Sequence, residues 1–401
     1  MEPSRAKARG PYGRNTQAAI IHPHHKGCGF GPRSIKLPFK VKQPILALGG
    51  QAKNVVCFLE NNLALLSPIH QDLNNPADYL KFEKTVTYFL KKRPKVIAYD
   101  LHPEYQSSKY VHHLSPITYH LSPIQHHHAH IASCMAENGL KNDLVIGVAF
   151  DGTGLGLDNT LWGAEFLVCN YKNFQRKVHL KEIPLLGGEK AILEPWRLAA
   201  AWLYSAYKDR FLNLDIGFIK KFDKNKWQVL KKMYLSGFNA PLASSMGRLF
   251  DAVATITLEK YKANFEAELA IELEKSATNY FLPAGRSYKF KMIKDKDVYT
   301  IDPSLMFKEI VADLKAKEPK QKIAFRFHLA VAEMIKNACL NLRRETKINK
   351  IVLSGGVFQN KLLLSCSLYL LTQENFNLFT HNNLSCNDSS ISLGQVAIAN
   401  F

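Results

Sequence analysis

One succession of elements occurs twice in this chain, and that repetition restricts the folds open to it. From Pro44 onward, Ile45–Leu48 reads as a short apolar strand and Gly49-Gly50 as a turn. Val55–Leu59 and Leu63–Leu66 are two further strands, and Asp78–Lys92 carries Tyr79, Phe82, Val86, Phe89 and Leu90 at helical spacing. Val96–Tyr99 follows as a buried strand ending at Asp100. The order partly recurs: Leu144–Phe150 is a strand, Asp151–Gly156 a glycine turn, Leu161–Cys169 and Lys177–Ile183 two strands, and Ala191–Tyr207 a helix. A third strand–glycine–helix junction lies at Ile351–Asn360.

Two such copies predict an α/β chain with a duplicated ribonuclease-H-like, actin/hexokinase-like fold: two lobes with a nucleotide and metal cleft between them. The expected divisions are a basic tail over 1–43 and a first lobe over 44–142 that also takes the C-terminal helix 389–401. A second lobe spans 143–388, with a mainly helical insertion at about 208–345. At 401 residues, two or three lobes with their own cores fit the length.

Charge and cysteine usage narrow the class. The net charge is +19, and much of it is local: Met1 to Lys42 holds nine Lys or Arg against Glu2 alone. Only Tyr12, Phe30 and Phe39 stand among those charges, too few to serve as stacking platforms, which favours a solvated linker remnant over a nucleic-acid-binding arm. Seven scattered cysteines without a C-x-x-C pair exclude a disulfide scaffold and a zinc ribbon, and they fit a reducing compartment. His22, His24, His25 and Cys28 lack the second cysteine pair a zinc module needs. No apolar run approaches bilayer length and no signal peptide opens the chain, so a cytoplasmic protein is expected.

Gln125-His-His-His-Ala-His130 opens a helix in which His126 and His130, four apart, share one face. That spacing lets two imidazoles hold one metal. It equally fits a polar, partly exposed helix start with no ligand. Metal binding gains if carboxylates converge, and Asp151 and Asp388 both stand at strand ends, where helix-capping aspartates also occur. The three glycine turns, at Gly49-Gly50, Gly152/Gly154/Gly156 and Gly355-Gly356, offer backbone N–H groups to a phosphate. Lys53 and Asn54, just past the first turn, are suited to reach a phosphate or a carbonyl oxygen. No P-loop and no G-x-S-x-G elbow occurs.

Several motifs together resemble one family. They are His126-His-His-Ala-His130, Phe150-Asp-Gly-Thr-Gly154 with Thr160-Leu-Trp-Gly163, and Leu186-Gly-Gly-Glu-Lys-Ala191 with Glu194-Pro-Trp-Arg197. Ser245-Met-Gly-Arg-Leu-Phe-Asp251, Leu353-Ser-Gly-Gly-Val-Phe-Gln-Asn360 and Asn387-Asp388 with Ser392-Leu-Gly-Gln395 continue the series, and Asp100-Leu-His-Pro103 matches as well. In order, from about residue 29 to the end, they resemble the C-terminal transferase domain of the HypF family, carbamoyltransferases of [NiFe]-hydrogenase maturation. The O-carbamoyltransferases and tRNA threonylcarbamoyl transferases share the fold, and a decayed nucleotide-binding protein is the competing reading.

The resemblance implies one iron or zinc held by His126, His130, Asp151 and Asp388. It implies carbamoyl-adenylate, derived from ATP, on Gly49, Gly50, Asn54, Gly152, Thr153, Gly154, Gly188, Glu189, Gly355, Gly356, Gln359 and Asn360. Lys53, His126 and His130 become the catalytic set. The implied acceptor is the C-terminal cysteine thiol of the partner HypE, with no membrane and no nucleic acid involved. The family's acylphosphatase, zinc and adenylating domains are absent from the sequence. The expectation is therefore a truncated or split form, with a separate polypeptide supplying those domains. Four motifs depart from the family. Gly-Gly after Asp388 is Ser389-Ser390, Tyr-Glu-Gly-Gln is Phe265-Glu-Ala-Glu268, Gly-Gly-Glu is Gly163-Ala-Glu165, and Ser-x-His-Ile-Gly-Asp-Leu is Ser67-Pro-Ile-His-Gln-Asp-Leu73. Lost glycines beside a ligand threaten nucleotide binding.

Overall fold

Short apolar runs, most deeply buried at Ile45–Ala47 and Cys57–Leu59, set the first sheet. The computed structural model describes residues 33–114, 117–277 and 286–401. Strands β1 (Arg33–Lys36), β2 (Ile45–Ala47), β3 (Cys57–Glu60), β4 (Leu63–Leu66), β5 (Val96–Asp100) and β6 (His120–Ile124) lie in the order β1-β4-β3-β2-β5-β6. Pairing is antiparallel for β4–β3 and β3–β2 and parallel for β2–β5 and β5–β6. Helix α1 (Pro76–Leu90) makes the crossover to the parallel strands. It starts where the Asn75 side chain accepts the Ala77 N–H and Pro76 occupies the first turn. Its Phe82, Val86 and Phe89 bury against Leu46, Phe58 and Ile97 of the sheet.

Helix α2 (His126–Glu137) then leads to the second sheet, of β7 (Val145–Leu155), β8 (Leu161–Cys169) and β9 (Phe174–Leu180). Further along come α3 (Trp196–Tyr207), β10 (Leu242–Ser245), α4 (Met246–Leu258), α5 (Glu268–Ala277), β11 (Lys291–Asp295) and β12 (Val298–Asp302). Helix α6 (Lys320–Thr346), β13 (Lys350–Ser354), α7 (Lys361–Gln373), β14 (Asn377–Phe379) and α8 (Ile391–Ala399) complete the chain. Within this sheet β9-β8-β7-β13-β14 repeats the pattern of β4-β3-β2-β5-β6: two antiparallel pairings, then two parallel ones. The duplication inferred from the sequence is therefore literal, and the chain has a two-lobed α/β fold.

Three details differ from the sequence reading. The tail expected to run to residue 43 ends sooner, because Arg33–Lys36 pairs with β4 as an edge strand. Residues 1–32, including His22, His24, His25 and Cys28, lie outside the described residues. The glycine turn expected at Asp151–Gly156 is extended strand over most of its length. There β7 stays paired with β8 through Leu155, with a register shift between Trp162 and Ala164, and the reversal falls at Gly156–Thr160 with Asn159 at φ 61°. A bulge absorbs one residue without ending the ladder, which glycine composition alone does not reveal. The stretch 208–345 is mainly helical as expected, but the sequence reading missed three strands within it: β10 pairs with β8, and the hairpin β11–β12 widens the sheet beyond β9.

Helices α2 and α8 pack face to face, and α8 also rests on β2 and β5 of the first sheet. Gly394 permits that approach: a Cβ there would collide with the Ala129 carbonyl oxygen of α2. The packing of these two first-lobe helices thus depends on a missing methyl group. Gly394→Ala should cost about 1–3 kcal/mol, the range for overpacking a tight core, and should lower the urea midpoint. An unchanged midpoint would mean the helices separate freely at this point.

Candidate metal and nucleotide site

The site forms where α2 begins. The Gln125 side chain accepts the His128 N–H and caps the helix, and all four histidines of its first two turns are buried. The partly exposed helix start considered above is thereby excluded. His128 Nε2 meets the Asn170 carbonyl at 2.6 Å, and His127 Nδ1 meets Gln125 Nε2 at 3.2 Å. Burial pushes His128 down to about 4 and holds His127 well below the usual imidazole range. Both are neutral packing groups.

His126 and His130 face the opposite way. His126 Nε2 and His130 Nε2 lie 3.3 and 3.0 Å from Asp151 Oδ2. Asp388 Oδ1 is 4.0 and 3.5 Å from the same two nitrogens. One ligand atom from each of the four residues lies within 4.8 Å of every other. Behind them Asp100 Oδ2 sits 2.7 Å from His126 Nδ1. That contact fixes the proton on Nδ1 and leaves the Nε2 lone pair facing the cluster. Burial alone would lower both imidazoles, yet both are raised, His126 chiefly by Asp100 and His130 chiefly by Asp151. Burial would likewise raise Asp151, but the two imidazoles hold it well below the ordinary carboxylate range. Two buried imidazoles and two carboxylates drawn together create a site that favours a cation at its centre. The donor set fits iron or zinc. Cys386 stands nearby, where burial pushes its thiol up to about 12, and it is not one of the four residues whose ligand atoms converge.

Backbone amides hold the Asp151 carboxylate in place. Asp151 Oδ1 accepts the N–H of Gly152 at 2.8 Å and of Gly356 at 3.2 Å, so only Oδ2 turns to the imidazoles. Gly355 makes this possible with φ 104° against the Phe150 carbonyl. Gly49 N donates to Gln395 Oε1 at 2.9 Å, and Gly50 lies so near Asp388 that a Cβ would come 3.6 Å from its Oδ2. The Gly49-Gly50 and Gly355-Gly356 turns therefore border the cluster from the two lobes.

The other sequence candidates divide. Lys53 is exposed, has φ 49°, and acts electrostatically on Cys386 beside the cluster. Asn54 is fully buried, and its amide is committed to Leu48 O, Gly50 O and His70. It shapes the first turn and has no donor left for a ligand. Gly154 sits under His126 and His127, where a Cβ would come 2.8 Å from His126 Cδ2, so it is a packing glycine. Thr153 continues the strand, half-buried. Asn360 caps α7 through Leu363 N and bonds His328, while Gln359 bonds Gly356 O and Asn387. Gly188 (φ 60°) and the exposed Glu189 belong to a separate turn held by Asn239 and Arg197.

Sequence reasoning passed over three groups. The sequence places Asp100 at the end of a strand and within a motif without giving it a role, and its position 26 residues before His126 was the available signal. Tyr105 stacks on His102 at 4.3 Å, and its ring centroid is 6.4 Å from that of His126. Burial and then the carboxylates of Asp100, Asp388, Asp151 and Glu266 keep its phenol protonated. Arg248 lies beside Gly152 with Glu266. The feared glycine losses resolve unevenly. Ser389 and Ser390 form an unstrained turn in which Ser389 bonds Asn387 Oδ1 and Ser390 bonds Asn387 O. Ala267, by contrast, carries φ 66°, a conformation that favours glycine.

With this geometry in place, comparison with known proteins is direct. A family model described as the second subdomain of a carbamoyltransferase Kae1-like domain matches residues 147–395, and the HypF Kae1-like domain matches 40–137. Carbamoyltransferase HypF of Synechocystis sp. is 34% identical over 388 residues, covering 92% of this chain. The chain spans about half, 48%, of that relative's length. A HypF homolog of Cupriavidus necator is 32% identical over 362 residues, with 89% of this chain and 91% of the relative covered. A crystal structure of full-length HypF in a phosphate- and nucleotide-bound form superposes with TM-score 0.85 at 37% identity, over 92% of this chain and 57% of that one. The chain belongs to the HypF carbamoyltransferase family. Among the described residues, no helix is long and apolar enough to cross a membrane.

Two outcomes test the site. Asp388→Asn and His130→Ala should each remove most of the bound iron or zinc read by elemental analysis, and Asp100→Asn should weaken it about 10–100-fold. His130 is buried, so a thermal scan must show that its variant folds; the half-buried Asp388 carries less of that risk. Parent-level metal in Asp388→Asn and His130→Ala would refute the cluster. Separately, Ala267→Gly should raise stability by about 1 kcal/mol through relief of the left-handed conformation, and a lower melting temperature would contradict the strain.

Proposed function

We propose that the cleft carries out carbamoyl transfer, from carbamoyl-adenylate to the C-terminal cysteine thiol of the partner HypE, in making the cyanide ligands of [NiFe]-hydrogenase. The observation that carries this reading is the convergence of His126, His130, Asp151 and Asp388 between the Gly49-Gly50 and Gly355-Gly356 turns. Acyl transfer needs charge stabilisation where negative charge develops on the carbamoyl oxygen, together with a site for the departing nucleotide. A metal held by the four residues would supply Lewis-acid polarisation of the carbamoyl group.

The remaining roles fall to the chain itself. Asp100 holds the Nδ1 proton of His126 and so fixes the direction of Nε2. The Gly152 and Gly356 amides fix Asp151. Lys53, exposed at the rim, is placed to neutralise phosphate charge. Tyr105 covers the His126 side as a neutral phenol and limits water there. The intact cluster and the unstrained Ser389-Ser390 turn favour an active protein over a decayed one.

The proposal is confined to transfer, and formation of the adenylate belongs to whichever polypeptide carries an adenylating site. Purified, metal-loaded chain given synthetic carbamoyl-adenylate and HypE should add one carbamoyl mass to the HypE C-terminal cysteine and release AMP. Asp388→Asn should lower the rate at least tenfold, about the worth of one good polar contact to the transition state. Absence of the adduct with metal present would refute the reading.

A further inference from the structure

The first turn of α4 contains a buried cation whose hydrogen bonds do not add up. Ser245 caps the helix by accepting the Arg248 N–H, which turns the Arg248 side chain inward, to 1% exposure. A guanidinium offers five N–H donors. Nη2 meets Glu266 Oε1 at 3.2 Å. Nε lies 3.0 Å from Asp251 Oδ2 but misaligned for a hydrogen bond, and Nη1 has no partner among the described residues. Buried donors are normally satisfied, so an Arg left short of acceptors calls for one that arrives later.

Its location says where such an acceptor would come from. A Cβ at Gly152 would lie 3.8 Å from Arg248 Nη2 and 2.6 Å from Glu266 Oε1. Gly152 follows Asp151 directly, and a Cβ added at Gly247 would come 3.1 Å from its Cα. The Arg248–Glu266 pair therefore closes over the rim of the metal cleft on the second-lobe side. Glu266 is the exposed member, at 57%, and an ion pair with one solvated partner is weakly held. Arg248 is fixed and buried, whereas its cover faces water.

We propose that Arg248 is the phosphate-holding residue of this cleft, covered by the Glu266 carboxylate until a phosphate ester displaces it. A planar guanidinium with Nη1 free and Nη2 released presents two parallel donors, the geometry that phosphate oxygens accept best. The phosphate concerned is that of a nucleotide lying beside the metal. In this respect the inference rests on the adenylate reading given above.

Calorimetry on the full, metal-loaded chain tests it with AMP, adenosine and inorganic phosphate as separate probes. The parent should bind AMP at least tenfold more tightly than adenosine. Glu266→Gln, at an exposed position, should tighten AMP about fivefold by removing the competing carboxylate and leave adenosine unchanged. Arg248→Lys should weaken AMP at least tenfold with metal content preserved; should it fail to fold, the Glu266→Gln result decides. AMP affinity unmoved in Glu266→Gln, or equal affinity for AMP and adenosine in the parent, would overturn the proposal. Phosphate binding as tight as AMP would overturn the nucleotide assignment. Carbamoyl transfer with an unmoved AMP affinity removes only this inference. The expected AMP shifts without transfer remove only the proposed function.

Discussion

The Asp151 carboxylate is the constraint on which the architecture turns. It stands on the second lobe's first strand, takes two backbone N–H groups on one oxygen and faces two imidazoles of the first lobe's helix with the other. A buried carboxylate is costly unless paired and hydrogen-bonded. Apart from the adjacent Gly152 amide, its partners come from other segments, the Gly355-Gly356 turn and helix α2. Strand β7, the Gly355-Gly356 turn and helix α2 must all be in place for the carboxylate to be accommodated, so the site and the lobe contact form together. The close packing of α8 on α2, permitted by Gly394, delivers Asp388 to the same point from the chain's far end.

Much of this was legible in the sequence, for physical reasons. The apolar strands, the glycine punctuation and α1 are local signals, and they sufficed to show the duplication. His126 and His130 were legible because helical periodicity fixes their common face. What stayed hidden depends on long-range register. The continuation of β7 through Asp151–Leu155 follows from pairing with β8, which glycine content does not encode. Asn54 and Asn360 were suited by chemistry to bind a ligand, but their amides are spent on a turn and a helix cap. Asp100 and Tyr105 acquire meaning only once the first lobe folds them against His126.

The two lobes contribute unlike chemistry. The first supplies the imidazoles, the carboxylate behind them and the neutral phenol above. The second supplies the carboxylates that face them and, through α4, a buried guanidinium at the rim. Under the proposed function, an anionic donor would find Lys53 exposed on one side and, once Glu266 gives way, Arg248 on the other. Steering by such fields acts over several ångströms and weakens with salt.

The central claim is that two imidazoles and two carboxylates, with no sulfur, hold one metal between the lobes. X-ray absorption spectroscopy of the metal-loaded chain tests it most directly. The account predicts a first shell of nitrogen and oxygen only, at about 2.0–2.2 Å for zinc, with the outer-shell scattering of two imidazole rings. A sulfur scatterer at about 2.3 Å, placing Cys386 on the metal, or a shell without imidazole, would contradict it.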